Sequence, residues 1–419
     1  MPIRRRIRAL VVEQNPLFAD GSRLSDLLKQ TADVKNSVEE LRDDIRFGSH
    51  GLVEVEIAAW ETVDEFPRHK VEFRLPSGPS HSLNEETVCR LYEKGWYGWW
   101  SNEWFTKEVC PDDVGFSFDY SRLLERHRIV ERRRAGEFDL VLLVNLDPVY
   151  CFEACMFGKN AYWINGDPIE ADCLLTAILN VSVSRRDANF ECFGHMMENV
   201  MMHVFTGGSD CAGYAEHEWD GIPYEKLNLW QKFTLANRNY DGTAACGNVH
   251  FSPNSVRDYD WQNPTPVLST WRDWHDHYPA LTGETELFDP SVYIPKGIGE
   301  KHACRLHHRW WFSCMPHARG ADFEGYSNNW WDYFVLLDYA EKTEADENGV
   351  FTFVYRSGRT ESFTPPVFEN ETCEALLAEP LCAVSYDADS VTVKKDGKSA
   401  TAPRRRDPAS TAESGERSV

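Results

Sequence analysis

Ile7-Arg8-Ala9-Leu10-Val11-Val12-Glu13-Gln14, followed by Asn15-Pro16, is an apolar run that closes on an Asn-Pro turn. A run of this kind reads as a strand buried on both faces, as in a parallel sheet. Two later stretches close alike: Leu143-Val144-Asn145-Leu146-Asp147-Pro148 and Trp163-Ile164-Asn165-Gly166-Asp167-Pro168. Asn or Asp caps a helix and Pro opens one, so each reads as a strand-to-helix turn.

Working outward, helical spacing covers Arg23 to Phe47, with Gly48 and Gly51 ending it. Leu52 to Trp60 alternates as a second strand. Pro67 to Ser82 is polar and turn-rich. Helices are expected over Glu85 to Lys94 and Tyr120 to Arg134. Asp139 to Leu146 reads as a third strand and Ala161 to Asn165 as a fourth, and a strongly patterned helix runs from Asn189 to Phe205. Strands alternating with helices predict an α/β fold, a mostly parallel sheet with helices on both faces. To this the sequence adds a long irregular Trp-rich region, a helix over Ser327 to Tyr339, and a C-terminal β-hairpin from Val350–Arg356 and Ser362–Val367. The expected division is an α/β core at 1–206, an irregular Trp/His-rich region at 207–340 packed on it, a small β-rich segment at 341–397 and a disordered tail at 398–419.

The net charge of −23 disfavours nucleic-acid backbones and anionic lipid as partners. No apolar run approaches the roughly 20 residues that span a bilayer. After the basic start, only Ala9 to Val12 precede Glu13, too short for a signal peptide's apolar region. The 12 cysteines form no C-x-x-C pair, so thiolate zinc ribbons are disfavoured and reduced, buried thiols in a cytoplasmic protein are expected.

In open α/β sheets ligands bind outside the carboxyl ends of the strands. Glu13, Asn15, Asp147, Asn165 and Asp167 are expected to gather on that edge, with Glu153 in the first turn of a helix after the third strand. Plain strand-to-helix turns would account for the same pattern.

The sharpest feature is the helix containing Gly194-His195-Met196-Met197-Glu198-Asn199. At 100° per residue, Phe193, Met197, Val200, Met201 and Val204 share a core stripe, and His195, Glu198, Asn199 and Met202 share the opposite face. That face carries imidazole, carboxylate, amide and thioether, with no Lys or Arg. His195 and Glu198 are three apart and can reach one metal ion or each other. Zinc or another divalent metal would need a third ligand, for which His250 is the first candidate and His307, His308 and His317 are others. Without a metal, the pair can serve as acid and base. A structural His–Glu contact on a packed helix reads the same residues as well.

Asn254, Asp258 and Asp260 are oxygen donors on one loop, but without EF-hand spacing an Asx-turn loop accounts for them better. Trp96, Trp99, Trp100 and Trp104 cluster early, and Trp261, Trp271, Trp274, Trp310, Trp311, Trp330 and Trp331 late. They read either as core or as an aromatic wall for sugar faces or apolar side chains. Phosphate-cradling glycine motifs and G-x-S-x-G are absent, and Cys151 reads as a buried thiol.

Trp99-Trp100-Ser101-Asn102-Glu103-Trp104, Gly194 to Asn199, Cys246 to Trp261 and His307 to Trp311 resemble a group of uncharacterised bacterial proteins. The resemblance covers most of residues 7–335, implies a bacterial setting and lends nothing to mechanism. The residues themselves lead to an expected hydrolase, metal-dependent or using a His195-activated water, acting on a small-molecule, peptide or glycan substrate in a Trp-lined cleft. His195 is ligand or base, Glu198 second ligand or orienter, and Asp147, Asp167 or Glu153 a further carboxylate. The competing expectation is a non-catalytic glycan- or peptide-binding protein.

Overall fold

Ala9, Leu10, Val11 and Val12 have no exposed surface, and they form the middle of strand β1 (Arg5–Gln14). The computed structural model describes residues 5–95, 102–110, 117–147, 151–206, 219, 221–295, 302–321, 326–337, 340–345, 351–355, 360–363, 383–386, 390–395 and 398–403. Helices α1 (Leu24–Leu27) and α2 (Thr31–Gly48) follow β1. They break the single helix expected there at Lys29, which takes φ +58°. Strand β2 (Val53–Val63) lies beside β1 and runs the same way: Arg5 N donates to Leu52 O at its start and Leu17 N to Asp64 O at its end, both at 2.7 Å.

The turn-rich segment is a small hairpin, β3 (Phe73–Leu75) with β4 (Gly78–Ser80). Helix α3 (Glu85–Glu93) starts on the Asn84 side chain, and α4 (Tyr120–Arg126) on that of Asp119. Helix α5 (Ile129–Arg134) then leads to β5 (Leu140–Asn145), parallel to β1 from Ala9↔Leu140 to Gln14↔Asn145.

The next strands depart from expectation. Ala161–Asn165 is not a strand, and among the described residues no helix lies between β5 and Ala154. Instead the chain makes β6 (Ala154–Gly158), β7 (Ile169–Glu170) and β8 (Thr176–Ser182). The sheet order is β2-β1-β5-β8-β6-β7. β8 is parallel to β5, whereas β6 is antiparallel to β8. A parallel crossover takes about a dozen residues or more, and too few separate Asn145 from Ala154. β6 therefore enters the sheet reversed. The apolar part of 161–165 is too short to compete for a ladder with the run Thr176-Ala177-Ile178-Leu179-Asn180-Val181. The sheet is mostly parallel, as expected. Helix α6 (Asn189–Phe205) follows β8.

By internal contacts the chain divides into two compact units. The first is Arg6–Arg46 with Glu54–Asn199, and the second is Met1–Arg5, Phe47–Val53 and Val200–Val419. In the second unit, α7 (Leu229–Phe233) opens on an Asn228–Gln231 capping box. It is followed by β9 (Val267–Ser269), α8 (Trp271–His277), β10 (Glu286–Phe288), α9 (Ala303–Cys314) and β11 (His317–Ala321). Where one helix was expected over Ser327–Tyr339, β12 (Ser327–Asn329) precedes a short α10 (Asp332–Leu336). The expected hairpin is β14 (Phe351–Tyr355) with β15 (Thr360–Phe363), extended by β13 (Ala340–Ala345). Strands β16 (Ala383–Tyr386), β17 (Ser390–Lys395) and β18 (Lys398–Pro403) form a further antiparallel sheet. β18 occupies the start of the expected disordered tail, and residues 404–419 lie outside the described residues.

Trp330 centres the second unit's core, with ring centroids 5.0–5.9 Å from Phe205, Trp230, Phe233, Trp274 and Tyr278. Trp261, Trp271, Trp274, Trp310, Trp311, Trp330 and Trp331 are all buried, so the late tryptophans are packing rather than a binding wall. Trp96, Trp99 and Trp100 lie outside the described residues, as do Cys211, Cys373 and Cys382. The described cysteines are free thiols. Among the described residues no helix is long and apolar enough to cross a membrane.

Candidate active site at the carboxyl edge of the sheet

β5 and β8 run in parallel, so their last residues, Asn145 and Ser182, lie on one edge of the sheet. β6 runs the other way and begins on that same edge. Ala154 pairs with Leu179, and Asn180 N donates to Glu153 O at 2.9 Å. This reversal delivers Glu153 to the edge from a strand start, not from the helix turn expected for it.

Asn189 joins the edge to α6. Its amide accepts from Ser182 N at 2.8 Å and donates to Ser182 O at 3.0 Å. The preceding turn is tied down by Arg186, which donates to Glu40 at 3.0 Å and to Asp33 at 2.8 Å. The first turns of α6 are thereby fixed against the strand ends.

On α6, Glu191, His195, Glu198 and Asn199 are all buried. His195 Nδ1 stands 3.5 Å from Glu198 Oε2, and Nε2 stands 3.6 Å from Glu153 Oε2. A Glu191 carboxylate oxygen lies within 4.8 Å of a His195 ring nitrogen. Burial pushes the His195 imidazole down. The Glu153 charge, then the bond to Glu198 and the charges of Glu198 and Glu191, outweigh burial and raise it to about 9. The same negative field that holds a proton favours a metal cation. Glu191 was missed by sequence reasoning, although its four-residue spacing from His195 puts both on one helix face. Asn199 does not join them through its amide nitrogen, which donates to His195 O at 2.7 Å.

Asn165 Nδ2 donates to Glu153 Oε2 at 3.0 Å, on the oxygen that faces His195. Asn165 takes φ +108°, a region L-residues rarely occupy and one that marks local strain. Gly166 permits this close packing, since a Cβ there would stand 2.7 Å from Ala154 O. Asn145 Nδ2 donates to Asn180 Oδ1 at 2.5 Å and to Cys151 Sγ at 2.8 Å. Burial pushes the Cys151 thiol up to about 12, and the charges of Asp147 and Glu153 add to this. It is not a nucleophile at neutral pH.

The other sequence candidates are placed as follows. Asp147 is half-buried and accepts a hydrogen bond from Ser184 Oγ. Asp167 is exposed and sits beside Cys155, whose thiol donates to its carbonyl at 3.2 Å. It follows a bend at 164–166 and leads into β7 rather than a helix, because Ala161–Asn165 makes no strand. Glu13 accepts from Asn15 at 2.7 Å, Trp60 at 2.7 Å and Thr62 at 3.0 Å. These residues line a separate cavity of about 510 Å³ with Arg23, Asp26 and Lys35. His250 is in the second unit, where its Nε2 lies 3.2 Å from the Tyr259 hydroxyl. His307 is fully buried, donates to Asn248 O at 2.9 Å and stacks on Trp261. His308 donates to Cys304 O at 2.7 Å. In the 254–260 loop, Asn254 donates to Asn263 O and Thr265 O, and Asp260 accepts from Val256 N and Asn263. The loop uses these groups to hold itself together, as an Asx-turn loop does.

The chain matches no protein-family model, no curated protein and no solved structure.

The donor set around His195, one imidazole and several carboxylates, suits zinc or a similar divalent metal. Around a tetrahedral zinc with bonds of 2.0–2.2 Å, neighbouring ligand atoms stand about 3.4 Å apart. The 3.6 Å between His195 Nε2 and Glu153 Oε2 is too long for a hydrogen bond and close to that spacing.

Proposed function

We propose that the chain is a metal-dependent hydrolase whose ion is held at the carboxyl edge by His195 Nε2 and Glu153, with Glu191 close to the same imidazole. The observation that carries this reading is the 3.6 Å separation of His195 Nε2 from Glu153 Oε2, beside the buried carboxylates of Glu191 and Glu198. Glu198 faces the other ring nitrogen at 3.5 Å, where a carboxylate orients a metal-bound histidine and raises its basicity. Glu153 keeps 37% of its side-chain surface exposed, so water and substrate can reach the ion from its side.

A bound divalent ion would bring its water's pKa near 7 and polarise a substrate carbonyl or similar group. His195 and Glu153 position the ion, Glu198 holds the imidazole, and Asn165 holds Glu153. Asp147, on the same edge, is the reserve carboxylate for taking up the water's proton. The substrate class is a small polar molecule, a peptide or a glycan, and a cytoplasmic setting belongs to the same proposal.

Metal analysis of the purified full-length chain tests it. About one equivalent of zinc or manganese should be retained at this site, and the His195→Ala variant should lose it together with hydrolysis of a generic ester, amide or glycoside panel. A metal content and activity unchanged in His195→Ala would overturn the proposal.

A further inference from the structure

The second unit carries a group of histidines that the proposed activity does not use. His50 follows α2, His275 lies in α8 and His317 opens β11. The ring centroids of His50 and His317 are 4.1 Å apart, those of His50 and His275 5.6 Å, and those of His275 and His317 5.8 Å.

Each ring has one nitrogen engaged. His50 Nε2 donates to Ser313 O at 2.8 Å, and His317 Nδ1 donates to Met315 O at 3.1 Å. His275 Nδ1 donates to the Asp276 carboxylate at 2.5 Å. A carbonyl or carboxylate only accepts, so the proton sits on the engaged nitrogen of each neutral ring. In the neutral form the electron pair is left on His50 Nδ1, His275 Nε2 and His317 Nε2. Metal-bound histidines show this arrangement, with one nitrogen held by a carbonyl or carboxylate and the other turned to the ion. Burial pushes His50 down and His317 down to about 4, which keeps both imidazoles neutral at pH 7. Imidazoles bound to one tetrahedral zinc have centroids about 5 Å apart. Both His275 separations lie near that value, while His50 and His317 are stacked at 4.1 Å with planes 25° apart and must part to share an ion.

We infer that His50, His275 and His317 form a binding site for a borderline transition-metal ion of the zinc class. An all-imidazole donor set selects zinc, cobalt, nickel or copper over magnesium and calcium. The three free nitrogens are not mutually within 4.8 Å among the described residues, so binding would draw the three side chains together to aim them at one point. A water completes the coordination. The ion would join segments far apart in sequence and so stabilise the second unit on binding.

The site is independent of the one around His195, and the test separates them. Chelator-stripped full-length His195→Ala is titrated with Zn²⁺ alone, with Mg²⁺ as the control. About one equivalent of Zn²⁺ should bind and Mg²⁺ should not. His195→Ala/His275→Asn should bind Zn²⁺ about a hundredfold more weakly, the upper end of what losing even a supporting group costs a metal site. His275 is 32% exposed in its side chain, so this change is tolerated by the fold. In the wild-type chain, ¹⁵N resonances of His50 Nδ1, His275 Nε2 and His317 Nε2 should shift on Zn²⁺ addition while their hydrogen-bonded partners move less. No Zn²⁺ binding in His195→Ala with unmoved ring resonances in the wild type, or equal affinity in the His275→Asn variant, would overturn the inference. Neither result bears on the His195 site.

Discussion

Glu153 Oε2 meets His195 Nε2 at 3.6 Å because β6 runs against the parallel strands. A carboxylate at the start of a reversed strand and an imidazole in the second turn of α6 thus reach the same edge. Had β6 run in parallel, its first residue would lie at the opposite edge of the sheet, away from α6's opening turns.

This geometry assigns different weights to the two glutamates. Glu153→Gln should weaken zinc binding more than Glu198→Gln, which should cost about ten- to a hundredfold as an orienting partner. Isothermal titration of the chelator-stripped chain measures both. The reverse order would place the ion on the Nδ1 side of His195.

Asn189→Ala removes two hydrogen bonds to Ser182 from a buried position. It should destabilise the chain by about 1–3 kcal/mol, since the half-buried Ser182 backbone N–H and C=O lose their partner. Urea unfolding checks the magnitude. The same variant should loosen the His195 site, seen as weaker metal retention.

Gly166→Ala places a methyl group 2.7 Å from Ala154 O, which is backbone and cannot swing aside. The expected cost is about 1–3 kcal/mol, as for other overpacked positions. Because Asn165 is the neighbouring residue, its bond to Glu153 should break. Thermal unfolding and zinc affinity should therefore fall together. A stable Gly166→Ala chain with normal affinity would refute the coupling.

Acid should destabilise both units through buried neutral histidines. Burial pushes His69 down to about 3 in the first unit and His307 down to about 3 in the second. An unfolded histidine takes up a proton below about pH 6.5, whereas these folded ones resist it. Their contribution is complete above pH 6.5 and is lost as pH falls toward 3. The His307→Gln variant keeps an amide donor for Asn248 O, and its stability should depend less on pH over that window. Melting temperatures from pH 7 to 4 supply the comparison.

In the metal-free chain His195 has the opposite sign. Its proton affinity is raised to about 9, so its contribution is complete below about pH 6.5 and fades as pH climbs through 9. An NMR titration of the ring should give a midpoint well above 7, and Glu153→Gln should lower it. A midpoint near 6.5 in the wild type would contradict the arrangement described.

Much of this was written locally. The run Ala9–Val12 reads as a strand buried on both faces, and Asn189–Phe205 as a helix with a core stripe and a polar, cation-free face. Those patterns depend on an unbroken apolar run and on a period of 3.6 residues, which neighbours in sequence settle by themselves. The His195–Glu198 pair followed from the same period, and Glu191 was within its reach. Other features depended on partners distant in the chain. The Trp163-Ile164-Asn165-Gly166-Asp167-Pro168 stretch resembles the strand ends before it, yet the adjoining place in the sheet goes to Thr176–Ser182, which offers the longer ladder. Strand direction is not encoded in a strand's own residues; the short span between Asn145 and Ala154 imposed it on β6. The late tryptophans have the composition of a binding wall, and only the packing of Trp330 among its neighbours made them core. The pairing of Glu153 with His195 likewise waited on the sheet, because a carboxylate's partner across space leaves no mark in the spacing of its own segment.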